Sequence, residues 1–213
     1  MSNENKIILD LCGGTGAWSR PYKDAGYDVR VITLPDYDVR EYVPPKNVYG
    51  ILAAPPCTMF SIARNDKTAR EKRDLRKGME TVEDCLHIIW ECLYEPYRIS
   101  ENSLKFWALE NPRGYLDRFL GKCALEIDPF EYGDPYTKRT HIWGMFNEPK
   151  KSRVAPERRG SEGTFVKNVE SFFDMKKHQI PENYKKKTGL SMRTIVRSIT
   201  PQGFAQAFFE ANP

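Results

Sequence analysis

The residues Lys6-Ile7-Ile8-Leu9-Asp10-Leu11 read as a buried strand, and with only Cys12 between they run into Gly13-Gly14-Thr15-Gly16. Glycine lets the backbone reach positive φ and approach a ligand closely, so a strand that empties into such a turn is constrained to a few topologies. Residues 18–25 have the length of a short helix. Residues 27–33 alternate apolar and polar side chains like a second strand, and residues 47–53 read as a third. Strand, helix, strand, loop, strand is the opening of a doubly wound, mostly parallel sheet of the α/β class.

The rest of the chain is consistent with that frame. Met79, Val82, Leu86, Ile89, Trp90 and Leu93 recur at helical spacing, predicting a long amphipathic helix over residues 79–97 that covers one sheet face. Cys85 and Cys92 fall on or beside its stripe and read as small buried apolar side chains. Residues 105–110 read as the next strand, ended by a turn at Asn111-Pro112-Arg113-Gly114. At 213 residues the chain has room for one α/β domain with a small appendage. We expect a cofactor-binding and catalytic domain over 1–149, a loop-rich lobe over 150–192 where periodicity is lost, and a segment over 193–213 that returns to the domain. That last segment has Thr200 as N-cap, Pro201 just inside and an apolar face behind.

No apolar run approaches the ~20 residues that span a bilayer. The first residues lack the basic and apolar regions of a signal peptide, so a cytoplasmic site is expected. Five cysteines, an odd number with no CxxC pair, argue against a disulfide framework and a zinc site. His87, His141 and His178 are scattered, and no metal is expected. A net charge of +4 is a weak pointer to nucleic acid.

Three segments carry chemistry. The glycine turn after Asp10 either serves turn geometry alone or fits a nucleotide-like ligand, and GxGxxG cannot be laid over it because Ser19 stands at the third glycine. Cys57, in Ala53-Ala54-Pro55-Pro56-Cys57-Thr58-Met59-Phe60-Ser61, lies on a loop after a strand and before the basic stretch 64–77. There a thiol can be a nucleophile or a structural strand-end cysteine. Glu110, before the Asn111-Pro112 turn, can be a proton donor or a surface glutamate. His141, beside Trp143, reads as packed or exposed. The basic stretch is either a solvated helix face or a loop that closes on phosphates.

In order and spacing, the segments 10–19, 53–61 and 109–112 resemble the cytosine-C5 methyltransferases that use S-adenosylmethionine. The resemblance covers residues 7–145, and more loosely 197–211. It implies that Asp10, Cys12, Gly13, Gly14, Gly16, Trp18, Asp38, Val39 and Pro55 hold the cofactor, which leaves as S-adenosylhomocysteine. It implies that Cys57 adds to C6 of cytosine and Glu110 supports N3, and that Arg139, in a strand over 136–144, serves O2. Thr58, Ser61, Arg64 and Lys138 then contact nucleic acid. Two departures stand out. Thr58 replaces a glutamine, and Thr33-Leu34-Pro35 stands where a ribose-binding carboxylate is usual. The expectation is a DNA cytosine-C5 methyltransferase acting on a flipped base of double-stranded DNA, monomeric or weakly oligomeric, of the compact kind carried by bacteriophages. The same reaction on RNA, or a non-catalytic protein that binds DNA or the cofactor, are the alternatives.

Overall fold

The computed structural model describes residues 2–64, 66, 67, 69, 71–94, 104–134, 136–153 and 179–213. Six strands form one sheet: β1 (Ile7–Leu11), β2 (Asp28–Ile32), β3 (Val48–Ala53), β4 (Phe106–Pro112), β5 (Leu125–Ile127) and β6 (Thr140–Met145), in the order β2-β1-β3-β4-β6-β5. The first four in that order run parallel, and β6 is antiparallel to both β4 and β5. The α/β doubly wound architecture read from the sequence is therefore the one observed.

Alternation along the strands sorts the core into two faces. Leu9, Leu11, Ile51, Ala53, Leu109 and Trp143 point to one side, where Val82, Cys85, Ile88, Ile89 and Cys92 of α2 (Leu75–Tyr94) cover them. Ile8, Leu52, Phe106, Ala108 and Ile142 point to the other. There α1 (Arg20–Asp24) and α6 (Gln202–Ala211) pack, the latter through Phe204, Ala205 and Phe208. Three short α-helices, α3 (Asp117–Leu120), α4 (Tyr184–Thr188) and α5 (Met192–Ser198), and one 3-10 turn at Pro129–Tyr132 complete the described elements.

Several boundaries differ from the sequence expectation. In α2 the buried stripe runs through Val82, Cys85, Ile88, Ile89 and Cys92, while Trp90 is 62% and Leu93 37% exposed. Strand β4 does not stop at Glu110 but continues to Pro112, because antiparallel β6 supplies partners as far as Thr140. Helix α1 starts only at Arg20; Ser19, at its N-cap, makes no side-chain cap bond and donates its hydroxyl to Asp10. The expected loop-rich lobe lies in large part on residues 154–178, outside the described residues, as do Lys176, Lys177 and His178.

Candidate active site

Strand β1 has β2 on one side and β3 on the other, so the loops leaving β1 and β3 part to opposite faces and open a crevice at the carboxyl ends of the two strands. In open α/β sheets that is where ligands sit. The glycine turn forms one wall. Asp10 is fully buried beneath it, with Ser19 Oγ donating to Oδ2 at 2.5 Å and Oδ1 left without a partner. Burial outweighs that hydrogen bond and pushes the carboxyl up to about 6. A Cβ at Gly13 would stand 2.3 Å from the Asp10 Cγ, so only glycine lets the backbone fold over the acid. Cys12, at φ 54°, and Gly14, at φ 58°, then turn the chain through left-handed conformations, with the Cys12 N–H donating to Ile32 O at 2.7 Å.

Three of the residues expected beside a cofactor have partners within the protein or places in its core. Trp18 is 1% exposed and packed against Phe204 and Phe208 in the core, its indole N–H without a partner. Val39 is buried in the α2-side core. Asp38 is engaged by Arg40 through both oxygens, and those hydrogen bonds hold its carboxyl below the usual range. Near the turn lies a residue the sequence did not single out: the Tyr184 hydroxyl of α4 is 3.5 Å from where a Gly14 Cβ would be. Lys187, one turn on, pairs with Asp36.

The loop after β3 forms the second wall. Ala54 N–H donates to Leu11 O at 2.9 Å, which stitches the loop to β1, and the buried Asn111 side chain donates to Pro55 O at 3.0 Å, which stitches it to β4. Pro56 is exposed, Cys57 half-buried and Thr58 exposed. The Cys57 carbonyl accepts from Phe60 N–H at 3.0 Å and Ser61 N–H at 2.9 Å, closing a tight turn around the thiol.

Glu110 reaches this turn from β4, and Lys138 Nζ stands 3.6 Å from its Oε1 while donating to Arg197 O at 3.3 Å. Burial pushes the Cys57 thiol up; Lys138 opposes that rise, Glu110 adds to it, and Arg197 opposes it. Cys57, Glu110, Lys138 and Arg197 thus share one electrostatic neighbourhood.

Arg139 is not among the groups that act on Cys57. In the β4–β6 register Ile142 lies opposite Glu110 and Thr140 opposite Pro112. The strand expected over 136–144 begins only at Thr140, so Lys138 and Arg139 lie on the approach to it: Lys138 turns to Glu110, and Arg139 lies 3.9 Å from Glu126. Arg64 also departs from expectation. Its side chain is 8% exposed and points inward, to Thr58 O at 3.2 Å, Met59 Sδ at 3.3 Å, Asp66 at 2.7 Å and Glu71 O. His141 is buried between Asp117, 2.7 Å from Nδ1, and Glu126, 3.0 Å from Nε2. Ser61 Oγ accepts from Ala63 N–H at 3.2 Å. Asn111 was visible as part of Glu110-Asn111-Pro112, but its tie to Pro55 was not. Arg197 carried no local signal at all.

No family model and no curated protein matches the chain. Among solved structures it is similar to an Escherichia coli prophage-encoded protein described as a DNA modification methyltransferase, at 14% identity, TM-score 0.42, over 65% of this chain and 46% of that one. It is similar to a mutant of Spodoptera frugiperda DNMT2 at 16% identity, TM-score 0.35, over 74% of this chain and 54% of that one. The Entamoeba histolytica methyltransferase EhMeth follows at 13% identity, TM-score 0.36, over 73% and 57%. The chain spans about half the length of each of these structures. Among the described residues, no group of His, Cys, Asp and Glu could hold a metal ion, and no helix is long and apolar enough to cross a membrane.

Proposed function

We propose that the protein transfers a methyl group from S-adenosylmethionine to C5 of cytosine in DNA, with Cys57 as the nucleophile. The observation that carries this reading is the meeting of Cys57, Glu110 and Lys138 at the ends of β3 and β4, across the switch point from the glycine turn of β1.

The turn fits an amino-acid-bearing cofactor: it brings backbone over a buried carboxyl whose Oδ1 has no partner in the protein. Asp10, Cys12, Gly13, Gly14 and Gly16 would hold that end. Pro55 and the segment Asp38-Val39 would flank the remainder, and Tyr184 would lie over it. Among the described residues at the end of β2, the carboxylate nearest the usual ribose position in sequence, Asp36, is already paired with Lys187. When bound, the cofactor supplies a methyl group on a positively charged sulfur.

C5 of cytosine is too electron-poor to accept that methyl unaided. The Cys57 thiol first passes its proton to solvent, a step that burial opposes and that the Lys138 ammonium and the Arg197 guanidinium make easier without cancelling that opposition. The thiolate forms a bond to C6, the C5–C6 π electrons move toward C5, and Glu110 shares a proton with N3 to meet the ring's negative charge. After C5 is substituted, its hydrogen leaves as a proton and the thiolate is expelled, which restores the ring and the enzyme. Both faces of a stacked base are closed to sulfur, so the cytosine must be extruded from the duplex. The exposed lysines Lys185 and Lys186 of α4 suit the phosphate backbone.

A duplex carrying 5-fluorocytosine tests the proposal, because fluorine at C5 cannot leave as a cation and the adduct persists. Wild type with the methyl donor should become covalently attached through Cys57, and Cys57→Ser should not. Methyl incorporation into cytidine but not deoxycytidine substrates would move the substrate to RNA. Absence of attachment to any duplex or RNA would leave a binding protein with this fold.

A further inference from the structure

We propose that Arg73 is a positioning residue that clamps the loop bearing Cys57 in the observed shape, with Arg64 and Asp66 as its partners. The inference rests on Cys57 being the reacting group, and it concerns the basic stretch 64–77, which the sequence offered for phosphate contacts.

Arg73 lies at the entrance to α2, and its guanidinium is spent on the loop rather than on solvent. It donates through Nη1 to Met59 O at 2.6 Å and to Ser61 O at 3.2 Å, and through Nη2 to Ser61 O at 3.2 Å. The same group lies 4.9 Å from the ring centre of Tyr115, whose own N–H donates to Phe60 O at 2.9 Å. Arg64 takes the carbonyl of Thr58 from the other side, at 3.2 Å. Asp66 joins the two, accepting from Arg64 Nε at 2.7 Å and from Arg73 Nε and Nη2 at 3.2 Å each. The carbonyls of residues 58, 59, 60 and 61 are thereby all held, each by a group outside the loop or at its far end.

The side chains of Arg73 and Arg64 are 17% and 8% exposed, so both charges were drawn from water for this purpose. A planar fork that reaches two carbonyls and a carboxylate at once is a property of arginine and not of lysine. The consequence for Cys57 is geometric. With Pro55 fixed by Asn111 on one side and residues 58–61 fixed by the clamp on the other, the thiol is held half-buried beside Glu110 and Lys138. A freed loop would let it swing into water.

Alkylation of Cys57 by iodoacetamide, followed across pH and mapped by peptide mass spectrometry with Cys123 as internal reference, reads this directly. It needs neither DNA nor methyl donor, so it stands or falls separately from the trapping experiment. In the wild type the midpoint should lie above the ordinary thiol value of ~8.5. In Arg73→Ala it should fall toward that value, by about one unit, with about tenfold faster alkylation at pH 8 and no change at Cys123. Arg73→Lys should resemble Arg73→Ala, since charge without the fork does not restore the clamp. A Cys57 profile in Arg73→Ala that coincides with wild type overturns the proposal. If buried Cys85 becomes reactive as well, the fold has opened and Asp66→Asn decides, because that side chain is half exposed. A rise confined to Cys57 then supports the clamp, and an unchanged profile overturns it.

Discussion

A carboxyl in a dry place has to be either paired or protonated, and Asp10 is only half paired. With its folded-state value near 6 against 3.8 when exposed, the native state holds the proton more tightly than the unfolded chain does. The resulting stabilisation is fully present below about pH 4 and is lost as pH rises through 6, a difference of about 3 kcal/mol. Urea unfolding of wild type and Asp10→Asn at pH 4 and pH 8 should therefore show the variant gaining relative stability at the higher pH; parallel behaviour of the two would contradict the assignment. The same substitution should weaken binding of a cationic amino-acid-bearing ligand, because the unpartnered oxygen lies beneath the turn. At this scale the sequence was informative about identity and poor about environment. Asp10 and Cys57 were both visible as candidates. That one is buried to the point of holding its proton near neutrality, and that the other's thiol is pushed up rather than down, depends on neighbours from α1, β4, β6 and α5 that no local pattern announces.

On the approach to β6, neighbouring residues take different partners: Lys138 stands by Glu110, and Arg139 by Glu126. Lys138→Ala should raise the Cys57 pKa further and slow adduct formation by about tenfold, on the scale of a lost charged partner to a reacting group. Arg139→Ala should leave the adduct rate within about twofold, as a partly exposed ion pair with Glu126. Equal losses in both variants would mean that the partners are not as described. β6 also depends on a glycine. A Cβ at Gly144 would stand 2.1 Å from Trp107 O, so Gly144→Ala should cost on the order of 2 kcal/mol or more in urea unfolding and loosen β6 from β4. The existence and type of β1 to β4, α2 and the closing helix were legible from periodicity. The ends were not: antiparallel pairing carried β4 through Glu110 and Asn111 up to Pro112, and two cysteines took places in the buried stripe of α2 where larger residues were expected.

Taken whole, the molecule keeps its charge chemistry at one end of the sheet. The lysines of α4 that face solvent there predict salt-dependent binding to duplex DNA, and replacing Lys185 and Lys186 by alanine should lower the slope of log affinity against log salt by about 2 without changing base preference. An unchanged slope would place the phosphates elsewhere. The opposite end is built of different material. Asn3 donates to Ala25 O at 3.1 Å, Lys6 lies over the rings of Tyr27 and Tyr49, Tyr22 donates to Asn212 O at 2.8 Å, and Tyr49 donates to Pro213 O at 2.7 Å. Residues 3–6 and 212–213 are thus moored together at the pole where the parallel strands begin. Anything joined to either terminus, whether an affinity tag, a surface tether or a neighbouring module, would leave from that pole and away from the carboxyl ends of β1 and β3.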